Sequence, residues 1–212
     1  MTHTPPPATI RTQVSIPLRF SDGYAANARA FTFHGLVDGG EHLAFRLGDR
    51  RLARRTDSPT LVRVHSECLT GDVFGSDRCD CGPQLRESVD RVAAAGGVLL
   101  YLRQEGRGIG LYAKLDAYAL QDEGLDTYDA NLALGFAADE RDYTVAAQML
   151  GALGVSRITL LTNNPDKVEQ LRALGVDVAA RVPTGVHLNE TNAAYLATKA
   201  RRHRHDLELP AI

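Results

Sequence analysis

The three cysteines of this 212-residue chain lie within one short stretch, Cys68-Leu-Thr-Gly-Asp-Val-Phe-Gly-Ser-Asp-Arg-Cys79-Asp-Cys81. An odd count at this spacing fits no disulfide framework and favours a reducing cytoplasm. C-x10-C-x-C reads instead as three ligands of one tetrahedral zinc whose fourth corner is open to water or substrate. Cys79 and Cys81 flank a single residue, so both reach one ion only from an extended or tightly turned backbone. Gly71, Gly75 and Gly82 make such a backbone accessible, and Arg78 beside them favours ionised thiolates. A structural site completed by His65 or Asp80 is the alternative reading. Three protein ligands are the catalytic pattern, in which a bound water has its pKa lowered to about 7 and can attack an electrophilic carbon.

Charge and composition exclude other classes. The 24 Lys+Arg nearly cancel the 26 Asp+Glu, so no global basic field argues for nucleic-acid or membrane binding. No apolar run approaches the roughly 20 residues of a membrane span, and the start Met1-Thr-His-Thr-Pro-Pro-Pro lacks a secretory signal. The seven histidines are not at metal-ligand spacing and are expected mostly at the surface.

The expected fold class is α/β: a layered mixed sheet flanked by helices, with a small, mostly antiparallel N-terminal β region. Residues 1–10 are Pro-rich and read as a disordered lead-in. Residues 11–205 are expected to form a single catalytic domain (11–60 the β region, 61–185 the zinc and nucleotide core), and 206–212 a tail. Partial alternation over Val14–Leu18, Ala28–Phe33 and His42–Leu47 suggests strands. The cluster Arg46, Arg50, Arg51, Arg54 and Arg55 reads as a solvated loop. Leu61-Val-Arg-Val is a strand running into His65. Leu85, Val89 and Val92 share a helical face that Gly96-Gly97 stops. Val98–Leu102 is a buried strand, and a helix over Leu111–Asp122 turns Leu111, Leu115, Tyr118 and Ala119 inward. A loop is expected at 124–140, followed by a helix with Val145, Met149, Leu150 and Leu153 on one face. Ala-Leu-Gly-Val occurs at Ala152–Val155 and again at Ala173–Val176, two uses of one helix, glycine cap and strand junction. Lys199–His205 reads as a basic last helical turn and tail.

Three polar clusters could carry chemistry. Glu105-Gly-Arg-Gly-Ile-Gly110 lies between a strand and a helix, where glycines let backbone N–H groups approach phosphate oxygens; a plain loop is the alternative. In Thr162-Asn-Asn-Pro-Asp-Lys167, Asn164 is a natural N-cap and Pro165 a first helical residue. Lys167 opposes the macrodipole unless a phosphate binds there; otherwise it is a solvated lysine. In Asp139-Glu-Arg-Asp142, Asp142 alone would explain a cap, whereas Asp139 and Arg141 could be a general base and a charge-stabilising cation.

Taken together, Arg63-Val-His-Ser-Glu-Cys-Leu-Thr-Gly-Asp72, Arg78-Cys-Asp-Cys-Gly-Pro-Gln-Leu85, Arg103-Gln-Glu-Gly-Arg-Gly-Ile-Gly110, Gly135-Phe-Ala-Ala-Asp-Glu-Arg-Asp142 and Leu161-Thr-Asn-Asn-Pro165 closely resemble the GTP cyclohydrolase II family of riboflavin biosynthesis. The match runs in order from about 62 to 185. The resemblance implies hydrolysis of GTP at two places, with release of formate and pyrophosphate. It implies one zinc per chain on Cys68, Cys79 and Cys81, magnesium (Mg2+) with the triphosphate, and a cytoplasmic homodimer. Nucleotide-contacting positions would be Arg63, Val64, His65, Ser66, Glu67, Gln84, Glu105, Gly106, Arg107, Thr127, Thr162 and Lys167. Asp139 matches the family's proton acceptor, Arg141 a residue proposed as nucleophile toward the α-phosphate, and Tyr118 a position linked to catalysis. A guanidinium stays protonated, so the expected role of Arg141 is to stabilise charge on that phosphate. The 60 or so residues upstream are too few for the second half that makes some relatives bifunctional. Two readings compete with this one. A structural-zinc module binding nucleic acid or protein would use Arg46–Arg55 and the basic tail; a related zinc hydrolase of another purine nucleotide would differ at base contacts such as Gln84 or Glu105.

Overall fold

The computed structural model describes residues 5–49, 58–137, 139–189 and 191–192. Arg50, Arg51, Arg54 and Arg55 of the arginine cluster, Ala138, and the basic tail Lys199–His205 lie outside the described residues. The chain divides into two compact units. One takes its described residues from Met1–His65, Leu85–Arg103 and Asp142–Thr184, the other from Ser66–Gln84, Gln104–Arg141 and Gly185–Ile212.

A seven-stranded mixed sheet fills the first unit, in the order β1-β2-β3-β5-β4-β6-β7. Its strands are β1 (Thr9–Arg19), β2 (Ala25–His34), β3 (Leu43–Leu47), β4 (Thr60–Ser66), β5 (Val98–Leu102), β6 (Arg157–Leu161) and β7 (Asp177–Val182). The N-terminal strands pair antiparallel, β1 with β2, β2 with β3 and β3 with β5. β4, β6 and β7 pair in parallel. This is the α/β class expected, with the antiparallel part at the N-terminal end. β1 begins at Thr9, inside the proline-rich stretch. It opens a hairpin turned at Asp22-Gly23, where Gly23 has φ +86° and the Asp22 carboxylate accepts from Tyr24 N–H.

Period-2 alternation sorts the strand side chains onto two helical layers. Val98, Leu100, Leu102, Ile158 and Leu160 pack with Val145, Met149 and Leu150 of α5 (Thr144–Ala152) and with Val168 and Leu171 of α6 (Pro165–Ala173). Leu99 and Leu161 face the other way, toward Val89 and Val92 of α2 (Cys81–Ala95). Both Ala-Leu-Gly-Val strings are helix ends of one kind. Gly154 and Gly175 have φ of +68° and +86°, and Val155 and Val176 donate back to Leu150 and Leu171 at 2.9 and 3.0 Å.

The second unit carries α1 (Leu69–Asp72), the first turn of α2, a 3-10 turn over Glu105–Gly108, α3 (Leu111–Asp122) and α4 (Thr127–Ala133). Four expectations change. α4 sits inside the stretch expected to be a loop, begun by Asp126, whose carboxylate accepts from Asp129 N–H at 3.0 Å. α3 is rotated from the expected face: Lys114 and Ala117 are buried, while Leu115 is 44% exposed. The inward side is set by a polar partner of Lys114, described below, and not by the leucine. Arg46 is not a loop residue but lies on β3, donating to Leu153 O at 2.8 Å and stacked over Phe31. Thr9 and Ile10, expected in a disordered lead-in, already belong to β1. Of the histidines, His42 and His65 are buried. The ring of His42 is held between Asp38 at 2.8 Å and Arg103 N–H at 2.9 Å.

At Gly48 (φ +76°) an added Cβ would lie 2.0 Å from Ala93 O and 2.9 Å from Gly96 Cα, where α2 ends against β3. Gly154 has a similar φ of +68° but open space around it. Gly154→Ala should therefore cost only the left-handed backbone strain, about 1–2 kcal/mol. Gly48→Ala adds a backbone clash and should cost about 3 kcal/mol or more. Urea unfolding of the two variants measures the difference.

Candidate functional site

The cysteine loop is fastened by its own backbone. Cys68 O accepts from Asp72 N–H at 2.7 Å, and the Asp72 carboxylate accepts from Cys68 N–H at 3.0 Å. These reciprocal bonds close the one-turn helix α1. Gly71 then faces the sulfurs: a Cβ there would lie 2.8 Å from Cys79 Sγ, 3.1 Å from Cys81 Cβ and 3.2 Å from Cys68 Sγ. Gly82 abuts the same turn, its added Cβ falling 2.4 Å from Gly71 O. With the two backbones this close, the three Sγ atoms lie within 4.8 Å of one another, Cys68 and Cys79 at 3.6 Å. Cys68 and Cys79 are buried and Cys81 is half-buried.

Shared hydrogen bonds split the thiols electrostatically. Cys79 and Cys81 donate to Cys68 and, with Lys114 close by, hold it well below the usual thiol range. The same bond to Cys68 pushes Cys79 up to about 11 and Cys81 well above its ordinary value. Among the described residues, the group that could hold a metal ion consists of these three cysteines. Asp80 is fully buried and its carboxylate accepts from Gln84 Nε2 at 2.5 Å. His65, on β4, stacks on Tyr101 at 5.6 Å.

Around the cysteines the second unit draws together several of the expected residues. The glycine-rich stretch is a 3-10 turn in which Gly106 and Arg107 both have left-handed φ, +62° and +63°. Arg107 is the one non-glycine residue with positive φ among those described, a local strain of the kind that gathers at functional sites. Its carbonyl accepts from Glu140 N–H at 3.0 Å, and Gly108 packs on Glu140 so closely that a Cβ would lie 3.1 Å from its backbone. The charged run is thus a partner of the glycine turn. Within it, Arg141 Nε donates to Asp139 Oδ1 at 2.8 Å, Nη2 donates to Oδ2, and Arg141 N–H donates to Oδ1 at 3.1 Å. Burial raises the Asp139 carboxyl, but the bonds and charge of Arg141, helped by Arg107, outweigh it and leave the group below the usual carboxylate range. Asp142 is not the cap of the next helix but lies one residue before its N-cap, Tyr143, and accepts from Thr144 N–H at 2.7 Å. Tyr118 has Arg78 over its ring at 4.5 Å and Lys114 at 5.6 Å, and Arg78 is clamped by both oxygens of Asp122 at 3.2 and 2.5 Å. Thr127 opens α4.

Other expected residues belong to the first unit. Arg63 is buried on β4 and donates to Leu161 O at 3.2 Å. Asn164 caps α6 by accepting from Asp166 N–H at 2.9 Å, and Thr162 Oγ1 accepts from Asn164 N–H. Lys167 is not a solvated lysine. It is 5% exposed, donates to Val64 O at 2.9 Å and lies 5.4 Å from the Tyr143 ring. Lys114 escaped the sequence reading; Asp80, weighed there as a fourth metal ligand, accepts from Gln84 Nε2. No local signal marked Lys114, because helical periodicity takes the inward residues of α3 to be apolar.

A family model for GTP cyclohydrolase II matches residues 12–183. The chain belongs to the GTP cyclohydrolase II family of enzymes. It is 49% identical over 199 residues to a protein of Vibrio cholerae named GTP cyclohydrolase-2, covering 93% of this chain and 99% of that one. A Psychromonas ingrahamii protein of the same name is 48% identical over 201 residues, covering 95% and 98%. The riboflavin biosynthesis protein RibBA of Bacillus subtilis is 53% identical over 178 residues, 84% of this chain and 44% of that longer one.

The cysteine set of this family member fits a zinc ion. Zn–S bonds of about 2.3 Å in a tetrahedron set sulfurs about 3.8 Å apart, close to the 3.6 Å between Cys68 and Cys79. Gly71 leaves the space that this approach needs. Gly71→Ala should therefore weaken zinc binding by at least about tenfold, as loss of close support around a metal does. Gly75→Ala, at φ +66° with nothing within 4 Å, should cost some stability and leave zinc affinity unchanged. Competition with a chromophoric chelator measures both.

Proposed function

We propose that this protein is a zinc-dependent hydrolase acting on GTP in the first step of riboflavin biosynthesis. It opens the imidazole ring with loss of C8 as formate and cleaves the α–β phosphoanhydride with loss of pyrophosphate. The product is 2,5-diamino-6-(ribosylamino)pyrimidin-4-one 5'-phosphate. The observation that carries this reading is the three-sulfur cradle around Gly71 in a chain of this family. Relatives named GTP cyclohydrolase-2 and one named for riboflavin biosynthesis support the substrate and the pathway. Magnesium with the triphosphate, a homodimeric state and a cytoplasmic location follow from the resemblance, as does the reading of 11–205 as one catalytic domain.

Held by Cys68, Cys79 and Cys81, zinc would supply a water acidic enough to act as nucleophile near neutral pH, which the weakly electrophilic C8 of guanine requires. The remaining roles belong to side chains. Tyr118, its ring fixed between two cations, donates a proton to the departing ring nitrogen. Arg141 faces the α-phosphate as a cation: a guanidinium bonded through two nitrogens to Asp139 stays protonated. Asp139, held below the usual carboxylate range by that pair, is a weak base and serves chiefly to aim Arg141; proton acceptance is its alternative role. By the resemblance, Arg63, Val64, His65, Ser66, Glu67, Gln84, Glu105, Gly106, Arg107, Thr127, Thr162 and Lys167 are the positions assigned to nucleotide contact. Lys167 is suited to phosphate as a cation carried on the first turn of α6, the end of a helix where an anion is favoured.

Zinc-replete protein given GTP and magnesium should release formate, pyrophosphate and the pyrimidine in equal amounts. Chelation, or Cys79→Ser, should abolish formate. Arg141→Lys should slow pyrophosphate release by about 10²-fold or more, with no phosphorylated enzyme trapped in the native protein. Formation of neither product would overturn the function. A trapped phospho-enzyme, with cleavage retained in Arg141→Lys, would overturn the electrostatic role.

A further inference from the structure

Lys114 belongs to none of the motifs that carry the reading above, yet it is only 8% exposed and lies against the cysteine loop. Its ammonium donates to Glu105 Oε1 at 2.8 Å, Thr70 Oγ1 at 3.0 Å and Cys68 Sγ at 3.2 Å. A lysine ammonium has three N–H donors, so each of them is engaged by protein. Glu105 is occupied in the same way. Its Oε1 also accepts from Gly106 N–H at 2.9 Å, and its Oε2 accepts from Leu69 N–H at 2.6 Å. Lys114 thus has no donor left over, and Glu105 keeps one acceptor site, on Oε2.

A buried ion pair is weak support for stability on its own account, since apolar residues of similar volume often serve as well. What sets this pair apart is what it joins. On one side are Cys68, Leu69 and Thr70 of the cysteine loop, and on the other is the turn whose Gly106 and Arg107 are left-handed. Lys114 is also the cation that touches a ligand sulfur, its ammonium 3.2 Å from Cys68 Sγ, so it favours the ionised form of that thiol.

We propose that Lys114 is a positioning residue of the cysteine centre with two separable tasks: it holds Cys68 Sγ toward the ion and, through Glu105, ties the cysteine loop to the glycine-rich turn and keeps that turn ordered. The inference rests on the metal-centre reading above and adds to it a residue that is neither a ligand nor a substrate contact. Partners just outside a ligand set typically contribute about 10- to 100-fold in metal affinity, and the same size of effect is expected here.

The test uses the full chain and three variants, Lys114→Met, Lys114→Arg and Glu105→Gln. Zinc affinity is read by chelator competition, and amide hydrogen exchange is read at Leu69 and Gly106. Lys114→Met should raise the zinc dissociation constant at least about tenfold and speed exchange at both amides; Lys114→Arg, which keeps the cation, should recover most of the affinity. Glu105→Gln leaves Lys114 on Cys68, so it should speed exchange while keeping zinc affinity within about threefold of the native protein. Native-like affinity and native-like exchange in Lys114→Met would overturn the proposal. Should Lys114→Met fail to fold, Glu105→Gln decides: unchanged exchange at Leu69 and Gly106 overturns the tie between the loops. A native protein that binds no zinc overturns the metal-centre reading, and this inference with it; native zinc binding with an indifferent Lys114→Met removes this inference alone.

Discussion

Between Gly71 and the sulfurs of Cys68 and Cys79 there is no room for a side chain, and the cysteine centre follows from that contact. α1 is only four residues long, far too short to persist as an isolated helix. Side chains hold its start: its own Asp72 on Cys68 N–H and, from outside, Glu105 on Leu69 N–H. The start of α2 can then press on it, because Gly82 offers no Cβ to collide with Gly71 O. The three cysteines and the two glycines Gly71 and Gly82 thus do a joint task. The glycines bring two backbones together, and the cysteines point into the space between.

Charge completes what close packing begins. Lys114–Glu105 and Arg141–Asp139 are both ion pairs of largely enclosed groups within one unit. Enclosed pairs of this kind lose hydration and recover it only when their remaining hydrogen bonds are met. Here they are met by backbone: Leu69 and Gly106 N–H on Glu105, and Arg141 N–H on Asp139. The Arg107 carbonyl on Glu140 N–H then links the glycine turn to the Asp139–Arg141 segment. The result is a set of loops whose geometry is defined by polar contacts, where a hydrophobic core would leave side chains freer to exchange positions.

How much of this could be read from the chain depended on the range of the interaction. Helix ends were legible, because Gly154, Gly175 and Asn164 act on residues one to five positions away. So was β5, whose continuous apolar run matches a strand covered on both faces. The facing of α3 was not, because periodicity assumes that the inward residue is apolar, and here it is Lys114. α4 was hidden for a related reason: Thr127–Ala133 has a weak apolar stripe, and only Asp126 and Gly135 mark its ends. In the site, the cysteines were legible from spacing. The pairing of Glu105 with Lys114 spans nine residues and that of Gly108 with Glu140 thirty-two, and no local pattern encodes either.

The proposed role of Arg141 follows from the same polar architecture. A nucleophile must have an available lone pair, and a guanidinium held by both carboxylate oxygens of Asp139 has every reason to keep its proton. The same grip is useful for electrostatic stabilisation. A cation whose fork is fixed before substrate arrives need not reorient as charge develops on a phosphate, and such preorganised charge is worth more in a partly enclosed site than in water. The depressed carboxyl of Asp139 is then the consequence of holding a cation in place, which argues for a fixed electrostatic pair and against a base tuned to take up protons near neutral pH.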